Sequence, residues 1–172
     1  VIPQLWKGGV QAVDLQPKLT IELVPRTSWF NNVRSMVSKK EWDTIRFRIY
    51  DRAKRKCEIC GGKGIKWPVE CHEMWEYDDK KRIQKLIRMI ALCPNCHQVK
   101  HIGLSEMRGQ LAECLEHLAK VNNWTLGQAN NYAREQMELW RERSEFYYEI
   151  DIDFLKRQFG IDVENKKSEE VL

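Results

Sequence analysis

The chain has 172 residues, of which 42% are hydrophobic and 31% charged, with seven Trp and a formal net charge of +4. That is enough apolar material for one domain of ordinary size with a helical appendage, and no apolar run approaches the roughly 18–20 residues that span a bilayer. The opening residues Val1–Gln16 lack the basic start and apolar stretch of a signal peptide, so no membrane partner and a cytoplasmic location are the expectation.

In chain order, residues 1–37 read as an arm: Gly8-Gly9 breaks any period, and Leu19–Val24 alternates apolar and polar as a short strand ending at Pro25. Trp29 and Phe30 are expected to anchor this arm in the core. Residues 38–104 read as the central unit. Ser38 followed by Glu41 is a capping box, and Trp42, Ile45, Ile49 and Ala53 share one face of a helix running to about Lys54. Gly61-Gly62-Lys63-Gly64 forms a tight basic turn. Ile65–Tyr77 suits a short hairpin, with Pro68 at an edge and His72 near its turn. The spacing of Ile83, Leu86, Ile87 and Ile90 predicts a helix over residues 79–92, and Cys96–His101 begins another, on which His97 and His101 share a face.

Residues 105–172 read as a helical extension. Met107, Leu111, Cys114, Leu115, Leu118 and Val121 form one apolar stripe, with Cys114 as a buried hydrophobe and His117 on the surface. A second capping box, Thr125 with Gln128, opens a helix carrying Ala129, Ala133, Met137 and Trp140 on one side. Phe154, Leu155 and Phe159 suggest a last helical turn before the charged tail Glu164–Leu172. The fold class is α+β and mostly helical.

Six cysteines are present, and four of them form two knuckles, Cys57-Glu58-Ile59-Cys60 and Cys93-Pro94-Asn95-Cys96. Each knuckle presents two thiolates to one tetrahedral ion, so structural zinc is expected on these four; exchanging one of them for Cys71 or His97 would break a pair. Knuckles with histidines also fit a reducing compartment. Between Arg34 and Lys66 there are eleven Lys/Arg against four Asp/Glu, whereas from Ser105 onward there are nine against fourteen. The basic residues near the knuckles (Arg52, Lys54, Arg55, Lys56, Lys63, Lys66, Arg88 and Lys100) are therefore candidates for phosphate contact, with nucleic acid, DNA in particular, as partner. The acidic C-terminal helices offer a surface for self-association or a larger assembly.

The order Cys57-x-x-Cys60, Val69-Glu70-Cys71-His72, Leu92-Cys93-Pro94-Asn95-Cys96-His97, then Lys100-His101 resembles the HNH endonucleases, the ββα-metal nucleases, in their four-cysteine zinc branch. The resemblance covers about residues 55–104. It implies a zinc-stapled ββα-metal core, with His72 as the general base that activates water against a phosphodiester. His97, and with it His101, would hold a catalytic ion, magnesium or another divalent metal. Where the family carries an Asp or His ligand before its base, this chain has Cys71, a soft donor better suited to transition metals; Glu70 and Glu73 are the oxygen alternatives. The family's middle Asn has no counterpart, Arg88 standing near its place. These departures define a second reading, a catalytically impaired zinc-stabilised nucleic-acid-binding module or subunit of a nuclease or defence assembly.

Overall fold

One antiparallel hairpin contributes buried residues to two cores, one on each of its faces, and the other described residues are arranged on either side of it. The computed structural model describes residues 17–163. The hairpin consists of β1 (Glu70–Asp78) and β2 (Ile83–Leu92), and a short β3 (Glu149–Asp151) runs parallel to β2 on its far side, leaving β1 as the open edge. The α-helices among the described residues are α1 (Val33–Met36), α2 (Lys39–Arg52), α3 (Pro94–Lys100), α4 (Ile102–Met107), α5 (Leu111–Asn122), α6 (Leu126–Arg143) and α7 (Asp153–Phe159), and a 3-10 turn over Arg26–Ser28 precedes them.

On one face, Leu86, Met89 and Ala91 of β2 pack with Ile45 and Ile49 of α2, Val33 of α1 and Leu155 of α7. On the other, Ile90 and Leu92 pack with Leu19, Ile21, Val99 of α3, Leu115 and Leu118 of α5, and Ala129 of α6. The second face thus joins segments from Leu19 to Ala133, whereas β3 and α7 pack on the first. Both capping boxes form as expected: Ser38 with Glu41 opens α2, and Thr125 with Gln128 opens α6.

Residues 79–92 are not the expected helix; they are a turn and β2. The hairpin is correspondingly larger than expected, with β1 starting at Glu70 and its partner beginning only at Ile83. The helical spacing has a definite origin. The β1–β2 register slips between Met74 and Trp75, so Met74 faces Arg88 while Trp75 faces Leu86. Ile87 is the extra residue of this bulge and lies exposed. One inserted residue puts Leu86 and Met89 on the same face although they are three apart, which imitates a 3.6-residue period.

Other expectations also change. Leu19–Val24 joins no sheet; it is an extended segment whose Glu22 N–H donates to the Lys100 carbonyl. Trp29 and Phe30 are 54% and 71% exposed rather than core anchors. The stripe beginning at Met107 is broken into α4 and α5 by Gly109, at φ +69°, which leaves Met107 on the surface. Cys114 is buried as expected, and Phe154–Phe159 falls within α7. The Gly8-Gly9 arm and the tail from Glu164 lie outside the described residues.

The bulge yields a direct test. Leu86→Ala removes a fully buried side chain and is expected to cost about 2–5 kcal/mol in urea unfolding. Ile87→Thr, at the exposed bulge position, is expected to change stability by about 0.5 kcal/mol or less. A helix over 79–92 would bury both residues and give two large losses.

Candidate metal centres

The knuckle cysteines converge. Cys57 and Cys60 come from the loop after α2, Cys93 follows β2, and Cys96 lies in the first turn of α3. Their sulfurs all lie within 4.8 Å of one another. The Cys60 and Cys93 Sγ atoms are 3.6 Å apart, close to the roughly 3.8 Å that tetrahedral bonds of about 2.3 Å impose. The Cys60 and Gly62 N–H groups point at the Cys57 and Cys60 sulfurs. A hydrogen bond from Cys96 pulls the Cys57 thiol down to about 4 and holds that of Cys96 correspondingly up, while burial raises Cys93 to about 11. Four thiols this close cannot all ionise without a cation, and the donor set suits zinc. A Cβ on Gly64 would lie 2.1 Å from the Trp67 carbonyl oxygen and 2.6 Å from Pro94 Cδ, so the loop can seat against the start of α3 only with glycine there.

The second cluster lies on the hairpin face that carries α3. His72, the second residue after the start of β1's pairing with β2 is established at Glu70, is 4% exposed. His97 is in α3, and His101 ends it. One ring nitrogen from each lies within 4.8 Å of the other two. The ring centroids of His97 and His101 are 4.8 Å apart, those of His72 and His101 5.1 Å, and those of His72 and His97 5.4 Å.

Carboxylates fix which nitrogens are free. Glu22 Oε2 lies 2.8 Å from His72 Nε2, and Glu22 Oε1 is 2.5 Å from Lys100 Nζ, which also donates to Thr20 Oγ1 at 2.6 Å. Burial raises the Glu22 pKa, but the hydrogen bond with His72 and the charge of Lys100 outweigh it and bring the group down to about 2. Ionised Glu22 only accepts, so His72 Nε2 carries the proton and its Nδ1 keeps a lone pair. Likewise Glu70 Oε2 lies 2.6 Å from His97 Nδ1, and that hydrogen bond holds the Glu70 carboxyl below its usual range. His97 Nδ1 is therefore the donor and Nε2 the free nitrogen. Burial lowers the pKa of His72, and burial with the neighbouring imidazoles brings His101 down to about 3. These two imidazoles are neutral at ordinary pH and can bind a cation without first losing a proton. A carboxylate behind an imidazole is also what orients metal-ligating histidines.

Several expected site residues lie elsewhere. Cys71 is not in the histidine cluster: adjacent strand residues point to opposite faces, and Cys71 packs against the α2 side, where burial and the charge of Glu73 push its thiol up to about 12. Glu73 is on that face too, accepting from the Val33 N–H at 2.7 Å, and burial raises it to about 7. Lys100 is 1% exposed and engaged with Glu22, so it cannot contact phosphate. Arg52 and Arg88 both pair with Glu58, which also accepts from the Ala91 N–H; they brace the first knuckle against β2. Lys54, Arg55, Lys56, Lys63 and Lys66 are exposed beside that knuckle. His117 is half-buried rather than on the surface, with Nε2 3.2 Å from Cys96 Sγ. Glu22 is the residue that sequence reasoning missed. Its only signal was the polar position in Leu19–Val24, 50 residues before His72. The chain matches no family model, no curated protein and no solved structure.

Two outcomes follow. Metal analysis of purified protein is expected to find zinc that survives His72→Ala and His97→Ala, while Cys96→Ser loses it and unfolds. Lys100→Met leaves the Glu22 charge without its buried partner and is expected to cost about 3 kcal/mol in chemical denaturation.

Proposed function

We propose that the protein is a metal-dependent endonuclease of the HNH type, hydrolysing phosphodiester bonds in DNA. The observation that carries this reading is the placement of three histidines, one on a hairpin strand and two on the helix that follows it, around one point, with two of them backed by carboxylates. Their order in the chain, His72 between the two knuckles and His97 and His101 just after the second, is the order on which the resemblance rests.

In this reading His97 and His101, the closest imidazole pair, hold the ion. Three nearby imidazoles favour nickel, iron, copper or zinc over magnesium. The ion, when bound, supplies charge stabilisation at the phosphate and the departing oxygen. The remaining work belongs to the chain. Glu22 holds His72 in the tautomer whose Nδ1 can take the proton of an attacking water. Lys100 keeps Glu22 ionised, so the imidazole that gains a proton does so beside a fixed negative charge. Glu70 directs the free nitrogen of His97 toward the cluster. The exposed Lys54–Lys56 run and Lys63 and Lys66 supply sequence-independent phosphate contacts, and binding should therefore weaken steeply with salt.

Plasmid nicking with manganese, nickel or magnesium tests the reading. His72→Ala is expected to lower the rate about 100-fold or more at saturating metal. Glu22→Gln, which leaves the ring in place but frees its tautomer, should lower it about 10- to 100-fold. Absence of metal-dependent nicking by the unaltered protein would sink the proposal. The mutual approach of all three imidazoles favours a second arrangement in which His72 is itself a ligand. In that case His72→Ala weakens metal binding, measured by titration calorimetry, in step with activity; as a base, it leaves affinity nearly unchanged.

A further inference from the structure

The histidine cluster opens into a cavity of about 640 Å³ that runs along the free edge of β1 and takes residues from both faces of the strand. This size lies within the roughly 300–1,000 Å³ of small-molecule sites. His72, His97 and His101 line it from the α3 side. Trp42 of α2 and Trp75 of β1, which pack against the core on the α2 side, line it as well, and so does Trp29, which is 54% exposed. Glu73 lines the same cavity, one carboxylate oxygen held by the Val33 N–H at 2.7 Å. Arg34, also at the rim, is exposed and has no ion-pair or hydrogen-bond partner among the described residues.

We infer that this cavity binds one unpaired nucleotide of a nucleic-acid strand, its base between the indoles and its phosphate toward the histidine cluster. The inference rests on the nuclease reading and names the substrate class within it. Each part of the cavity matches a part of a nucleotide. Indole faces stack on any base. A carboxylate held in place by a backbone N–H accepts from an amino group such as cytosine N4. An unpartnered guanidinium at the rim suits the flanking backbone phosphate. A base within an intact duplex cannot reach such a cavity without leaving the stack, so the substrate is single-stranded, mispaired or extruded at the cut site.

The test uses the full chain with its metals, following Trp fluorescence. Deoxycytidine monophosphate is expected to bind saturably and about tenfold more tightly than thymidine monophosphate, which has no amino group to offer Glu73. Trp29→Ala, a substitution at an exposed residue that leaves the core intact, is expected to weaken both at least fivefold. In Glu73→Gln the side-chain oxygen remains with the Val33 N–H and the amide turns toward the ligand, so the preference for cytosine disappears or reverses. Single-stranded oligonucleotides should compete for the site and fully paired duplex should not. The inference is overturned if no mononucleotide binds, if binding ignores Trp29→Ala and Glu73→Gln, or if free nucleotides bind but strands do not compete. Cleavage by a protein that binds no mononucleotide would remove this inference and leave the nuclease reading standing. Binding with the expected preferences but no cleavage under any metal would do the reverse.

Discussion

The convergence of four cysteines fixes the position of nearly everything else near the site. Cys57 and Cys60 lie in a loop with few buried apolar residues of its own, and Cys93 and Cys96 lie where β2 becomes α3. Bringing their sulfurs together ties that loop to the first turn of the helix and sets the direction in which the helix leaves the strand. His97 follows Cys96 directly, so the orientation of its side chain is coupled to the staple. A structural ion held by these four thiols, such as zinc, would contribute its binding energy to folding, and the same constraint aims the histidine helix at β1.

A second constraint acts from the opposite side. The extended segment Leu19–Val24 lies against the end of α3 through the Glu22 N–H to Lys100 carbonyl bond, and its Ile21 is buried in the core shared with α5 and α6. That packing brings Glu22 to His72 and gives Lys100 a buried partner. The lysine at the end of α3 is therefore part of the electrostatics behind the histidines. Its ammonium and the His72 ring share one carboxylate, which suppresses protonation of Glu22 and fixes the imidazole tautomer together. The C-terminal helices support this arrangement: Asn122, at the end of α5, bonds the Leu19 backbone in both directions, and Trp140 of α6 donates to the Val24 carbonyl.

The legible features were those that depend on local spacing. A C-x-x-C pair brings two thiols together whatever surrounds it, and a Ser or Thr three residues before Glu or Gln caps a helix through its own short contacts; both knuckles and both capping boxes appear where the spacing puts them. The i, i+4 relation of His97 and His101 is of the same kind. The errors arose where one residue of irregularity or a distant partner decided the outcome. The bulge at Ile87 turned a strand's period of two into spacing that reads as helical. Trp29 and Phe30 have ample apolar surface to be buried, yet they follow a turn that carries them past the core edge. Lys100 reads as a phosphate contact only while its neighbour Glu22 is unknown.

The sequence by itself determined the metal-binding vocabulary: four thiols in two knuckles, histidines at their edges and a basic stretch before them. Those are properties of covalent neighbours, and short-range geometry carries them through folding unchanged. Only the tertiary structure decided that His72 joins His97 and His101 while Cys71 turns away, that Glu22 stands behind His72, and that the cluster opens into an indole-lined cavity along β1. The physical reason is strand alternation combined with long-range burial. Adjacent residues on β1 are sent to different cores, and which core meets the N-terminal segment depends on packing across more than a hundred residues of chain.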